Sequence, residues 1–296
     1  MRPSRVLAVA LLTLAGWVTP SAATDPSWPK ELTFALLSTE NAAEVGRRWA
    51  PIIAQLEKDL GVRVKSTTAS DYRGTIEALK FGKAQLGHLG PKAYVEASTN
   101  NYANVDPVAQ LQLANGSLGY RSCLIVHADS DVFSPEDMAG KTFAFNDPNS
   151  TSGYLVPSTF FMMEMSVDPQ KYFSKVVFSG SHEASILAVT NKKVEIASTN
   201  LPDLQQLTRE NKIPRGGLRV IWVSKLIPND PIVIRKDMPA SLRSAVTESL
   251  TTMKARHPDV FKEIGAWVGG FVPADDGKYQ VIRDLNETAK RLKAQK

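Results

Sequence analysis

Short apolar segments alternate with amphipathic ones from residue 31 to the C-terminus, and this rhythm restricts the fold more than any other feature. Residues 44–60 place Trp49, Ile52, Ile53, Leu56 and Leu60 on one helical stripe, and Gly61 follows as a stop. Residues 62–67 alternate as a strand does. The same reading predicts further helices over 75–81, 92–97, 154–165, 183–191, 242–253 and 279–293. It predicts strands over 31–37, 85–90, 106–112, 120–127, 142–145, 176–178, 194–197, 220–223 and 232–234. Strands that alternate with helices imply an α/β protein with largely parallel sheets covered on both faces. Ligands of such sheets bind beyond the carboxyl ends of the strands, where loops enter helices.

Four of these junctions carry polar residues: Ser38-Thr39, Asp71-Tyr72, Ser181-His182 and the run Asn146-Asp147-Pro148-Asn149-Ser150-Thr151-Ser152-Gly153. The last is the most specific. Asp-Pro-Asn signals a turn, and the apolar Tyr154-Leu155-Val156 follows, so Ser150, Thr151 and Ser152 fall at a helix start. Hydroxyls and unpaired backbone N–H groups then converge at the positive end of a helix dipole. Such a point holds a small oxyanion without Lys or Arg. His182 adds a donor, and a positive charge if protonated. Ordinary helix caps would use the same residue types, so the surroundings carry part of the argument.

The chain starts with a basic Met1-Arg2-Pro3-Ser4-Arg5, an apolar run to Val18 and small residues to Ala23, the pattern of a cleavable export signal over 1–23. The run is short for a membrane span, and no Cys near the cut would accept a lipid. Removing 23 of 296 residues leaves 273, enough for two lobes. Loss of Arg2 and Arg5 takes the formal charge from +5 to +3, and the remaining Lys and Arg are scattered, which argues against a nucleic-acid partner. Cys123, the single cysteine, lies in the apolar run Ser122-Cys123-Leu124-Ile125-Val126 and is expected to be a buried, inert thiol. The four histidines are far apart and show no metal-ligand spacing, so neither a metal nor a cofactor is expected.

The order of motifs carries a family resemblance. Leu37-Ser38-Thr39-Glu40, Asp71-Tyr72-Arg73-Gly74, Gly119-Tyr120, the 146–153 run, Ser181-His182-Glu183 and Ile227-Pro228-Asn229-Asp230-Pro231 occur in sequence. Together they resemble the phosphonate-binding periplasmic proteins of ABC importers, whose wider group also takes phosphite. The resemblance implies a two-lobed solute-binding fold of type II, with two mixed sheets flanked by helices and joined by a hinge. It implies one lobe from 29–122 with 229–296 and another from 123–228. It implies a phosphorus oxyanion held by Ser150, Thr151, Ser152 and His182, with Tyr72 and Tyr120 closing over it. Asp230 would meet the amine of an aminophosphonate, and Thr39 and Asp203 are further candidates. The partner would be an inner-membrane permease, and the location the periplasm. In aminoethylphosphonate binders a second acid follows the strand matching 194–197. Pro202 occupies that position here, and Asp203 takes the role only after a small shift.

Two other readings stay open at this level. The same fold accommodates sulfonate or another small oxyanion. A serine of the cluster with His182 and Asp230 would supply the residue types of an exported hydrolase, although no GxSxG elbow is present.

Overall fold

A computed structural model describes residues 25–294, so the expected export signal over 1–23 lies outside the described residues. In chain order the strands are β1 (Glu31–Leu36), β2 (Arg63–Thr68), β3 (Leu86–His88), β4 (Val105–Leu113), β5 (Gly119–Tyr120), β6 (Ser122–His127) and β7 (Thr142–Phe145). They continue as β8 (Lys175–Phe178), β9 (Ile196–Asn200), β10 (Leu218–Val223), β11 (Ile227–Pro228), β12 (Pro231–Arg235) and β13 (Val268–Pro273). The first sheet runs β13-β4-β12-β3-β1-β2 and the second β10-β6-β9-β7-β8. β5 and β11 pair with each other alone, as a short antiparallel ribbon between the two sheets.

The sheets are mixed, as the family resemblance implies, rather than largely parallel as strand–helix alternation alone suggests. β1 pairs in parallel with β2 and β3, and β7 with β8 and β9. β12 runs antiparallel between β3 and β4 because the chain enters the first sheet again after visiting the second. β13 then pairs with β4; its Gly269-Gly270 pair hides it from a strand reading. The expected strand over 120–127 is divided: Tyr120 belongs to the ribbon, and β6 begins at Ser122.

Each sheet is buried on both faces. In β1, Leu32, Phe34 and Leu36 pack with Trp49, Ile52 and Leu56 of helix α1 (Ala42–Leu60). The alternate residues Ala35 and Leu37 face Tyr72 and Ile76 of α2 (Tyr72–Lys80) and Tyr94 of α3 (Pro91–Ser98). α1 starts where the Asn41 side chain accepts the Glu44 N–H and ends at Gly61, at φ 67°. In the second sheet Phe143 stacks on Phe173 at 4.6 Å, while Cys123 lies fully buried on the opposite face.

The helix expected over 154–165 starts earlier, at Thr151. Its first turn, Thr151–Leu155, is widened, with the Leu155 N–H reaching Ser150 O at 3.1 Å; α4 (Val156–Thr159) continues it. Among the described residues no helix is long and apolar enough to cross a membrane.

Gly153 is where this turn meets the end of β7. A Cβ there would lie 2.3 Å from Asn146 Cβ and 2.9 Å from Ser150 Oγ. Gly153→Ala is therefore expected to destabilise the protein by about 1–3 kcal/mol, as overpacking does, with a lower midpoint in urea unfolding.

Candidate functional site

A cavity of about 70 Å³ lies between the two sheets, at the carboxyl ends of β1, β3 and β7. Thr39, Tyr72, Tyr120, Ser150, Thr151, His182, Asp203 and Asp230 all line it. Ser152 stands just behind, its hydroxyl 3.5 Å from His182 Nε2.

The 150–153 turn is held from below. The Ser122 hydroxyl of β6 donates to Ser152 O at 2.6 Å, and the Ser198 hydroxyl of β9 donates to Gly153 O at 2.7 Å. Ser150 caps the helix by accepting the Gly153 N–H at 3.0 Å. Among the described residues, the N–H groups of Thr151 and Ser152 have no protein acceptor, as expected of a first turn. Tyr120 approaches from the ribbon and lines the cavity beside Ser150 and Thr151.

His182 begins α6 (His182–Thr190) after the cap Ser181, whose hydroxyl accepts the Ala184 N–H. Its ring is fixed by Thr199, whose hydroxyl lies 3.1 Å from Nδ1. Thr199 is in place because β9 runs on to Asn200 instead of ending at the expected 197.

The cavity is also lined by carboxylates. Asp230 follows the ribbon strand β11, and Asp203 sits in the first turn of α7 (Leu201–Arg209), where Asn200 Nδ2 donates to it at 2.7 Å. Pro202 and Asp203 both face the cavity, so two acids are present although Pro202 replaces one. Among residues not expected in the site, His88, Trp49, Arg48 and Asn229 also line the cavity. His88 was signalled by its polarity at the end of the apolar β3, but its neighbours in space come from 49 and 230.

Contacts cross the cleft and close it. The Lys92 N–H of α3 donates to Thr151 Oγ1 at 2.8 Å, the Tyr72 N–H to Asp147 Oδ2 at 3.3 Å, and the Glu183 N–H to Thr39 O at 3.3 Å. Arg48 joins Glu40 at 2.8 Å on its own side and Glu210 at 2.7 Å across the cleft. Lys212 reaches Glu183 at 3.0 Å and Glu40 at 3.4 Å. Glu40, Glu44 and Glu210 are grouped closely enough to suggest a cation site, but Arg48 and Lys212 already neutralise them.

The hydrolase arrangement is not assembled. Asp230 stands next to His88, at 3.0 Å, and not behind His182. Asp203 is 4.0 Å from His182 Nδ1, whose nearer partner is Thr199.

A family model for the periplasmic substrate-binding proteins of phosphonate ABC transporters matches residues 34–279. The chain belongs to this family. It is 35% identical to the phosphonates-binding periplasmic protein of Escherichia coli over 241 residues, 80% of this chain and 70% of that one. It is 32% identical to the phosphate-import protein PhnD of Mycolicibacterium smegmatis, covering 94% of this chain and 92% of that one. Among solved structures it resembles a binding-protein component of a phosphonate ABC transporter from Pseudomonas aeruginosa. That match has a TM-score of 0.82 at 33% identity, covering 89% and 87% of the two chains. The architecture is thus the two-lobed type II solute-binding fold, and the protein is a periplasmic transport component rather than an enzyme.

Burial governs ionisation inside this binding protein. It pushes His182 down to about 4, so the imidazole is neutral near pH 7 rather than the cation considered from sequence. The unfolded chain binds that proton more readily, so His182 lowers stability as pH falls from about 6.5 towards 4. Burial pushes Asp203 up to about 6, and Asp230 adds to the rise. The Tyr120 hydroxyl is raised by burial and by Asp230, and Tyr72 by burial and Asp203, so both remain donors.

Asp203 keeps its proton in the folded protein between 3.8 and about 6, where the unfolded chain has released it. Its contribution therefore destabilises the fold as pH rises through that window. Asp203→Asn is expected to stabilise the ligand-free protein at pH 7.5 relative to pH 4, by on the order of 1–3 kcal/mol, read from urea unfolding at both pH values.

Proposed function

We propose that the cavity binds a small alkyl- or aminoalkylphosphonate and presents it to an inner-membrane permease. The observation that carries this reading is the 150–153 turn. Two unpaired N–H groups and the hydroxyls of Ser150 and Thr151 meet at a helix start, under Tyr120 and beside His182. That is a donor-rich cup for tetrahedral phosphorus oxygens, with no Lys or Arg in it. The two acids in the lining suit a ligand that is negative at one end only. Phosphate, bearing charge all round, would bring an oxygen towards Asp230 and Asp203, which disfavours it despite the phosphate-import role named for the mycobacterial relative.

In this reading one lobe comprises 29–122 with 229–296 and the other 123–228, and the ribbon of β5 and β11 is the hinge. Closure completes the site by bringing Tyr72 and Tyr120 over the helix start, and the permease would respond to the closed form. The segment 1–23 would direct export and be removed.

Calorimetry with methylphosphonate, ethylphosphonate, 2-aminoethylphosphonate, phosphite, phosphate and ethanesulfonate tests the assignment. A phosphonate is expected to bind most tightly, and a clear preference for phosphate or ethanesulfonate would overturn it. Ser150→Ala and Thr151→Ala are each expected to weaken phosphonate binding roughly tenfold to a hundredfold, the loss of one hydrogen bond to a charged oxygen. Thr151→Ala also loses the cross-cleft bond from Lys92, so its dissociation should be faster as well.

A further inference from the structure

Asp230 and Asp203 place two carboxylates where an alkylphosphonate without an amine would present only carbon. A carboxylate enclosed without a counter-charge is strongly disfavoured. The charged and titratable groups around it leave few sources of positive charge. Arg48 is taken by Glu40, Glu44 and Glu210. His182 is turned towards Ser152 and Thr199, and burial keeps it neutral. Tyr72 and Tyr120 are neutral donors, and Asp203, held up to about 6 by burial, is itself an acid.

His88 remains. It ends β3 in the middle of the first sheet, only 6% exposed, with its ring against Trp49 at a centroid distance of 4.7 Å. Its Nε2 lies 3.0 Å from Asp230 Oδ2 without forming a hydrogen bond, and among the described residues Nδ1 has no partner. A buried imidazole touching the acid that lines the cavity, with unused hydrogen-bonding capacity, is placed to answer whatever that acid meets there.

We propose that His88 is a specificity-determining residue, the built-in counter-cation of Asp230. It is protonated when the ligand lacks an amine, and it returns that proton to solvent when a ligand ammonium group takes its place. One site would thus accept both alkyl- and aminoalkylphosphonates without leaving Asp230 unpaired. The inference rests on the phosphonate reading above.

Calorimetry of the mature protein at pH 7 with ethylphosphonate and 2-aminoethylphosphonate tests it, for wild type and His88→Gln. His88→Gln is expected to weaken ethylphosphonate at least about tenfold while changing aminoethylphosphonate by less than about threefold. Proton counting in buffers of different ionisation enthalpy supplies a readout that a merely structural role would not move. In wild type, aminoethylphosphonate should release about one proton more, relative to ethylphosphonate, than in His88→Gln. The ligands' own ionisation cancels in that double difference. Equal weakening of both ligands, or an unchanged proton difference, overturns the proposal. Should His88→Gln fail to fold, Asp230→Asn serves instead: it removes the need for a counter-cation, so the extra proton release should vanish, and its persistence would overturn the proposal. If neither phosphonate binds wild type, the phosphonate reading itself fails and this inference falls with it.

Discussion

The carbonyls of Ser152 and Gly153 are each tied down by a serine hydroxyl from the second sheet, and the donor geometry of the turn depends on that anchoring. Anchored from β6 and β9, the turn widens to an i to i+5 bond, and among the described residues the first-turn N–H groups of Thr151 and Ser152 have no protein acceptor, as at any helix start. Gly153 permits the arrangement because any side chain there would collide with Asn146. Ser122 and Ser198 are fully buried, far from the cavity in sequence, and act only through the backbone they hold. Preorganised donors need no reorientation when an oxyanion arrives, so the ordering is completed during folding rather than at binding.

Closure is electrostatic at the rim and hydrogen-bonded near the floor. Four carboxylates (Glu40, Glu44, Glu183 and Glu210) share Arg48 and Lys212 across the cleft. The group is not uniformly buried: Lys212 is 30% exposed, whereas Arg48 is nearly sequestered. Burial raises the Glu40 carboxyl, a sign that desolvation offsets part of the attraction. The more exposed Lys212 pairs contribute little net energy, so they favour the cross-cleft contact without locking it. A transport receptor must release its cargo, and a weak rim suits that requirement.

Local signals revealed most of the fold. The stripe of α1 and its Gly61 stop are written in neighbouring residues, and so is the start of the Ser/Thr helix. β13 was not legible, since Gly269 and Gly270 weaken a strand pattern and its pairing with β4 spans more than 150 residues. The extension of β9 to Asn200 was missed for a similar reason. Ser198, Thr199 and Asn200 look like loop residues until they lie opposite Leu124, Cys123 and Ser122 of β6.

By itself the sequence determined the α/β class, the polar strand-to-helix junctions and the family, because each depends on residues within a few positions or on motif order. Its site candidates are also gathered around one cavity, eight lining it and Ser152 directly behind. Only the tertiary structure decided what those side chains meet. It joined His88 to Asp230 across 142 positions, turned Asp203 into the cavity beside the unexpected Pro202, and made His182 neutral by burying it. Charge state and partnership depend on solvent exclusion and on groups brought together by folding, and neither is encoded in any single stretch of chain.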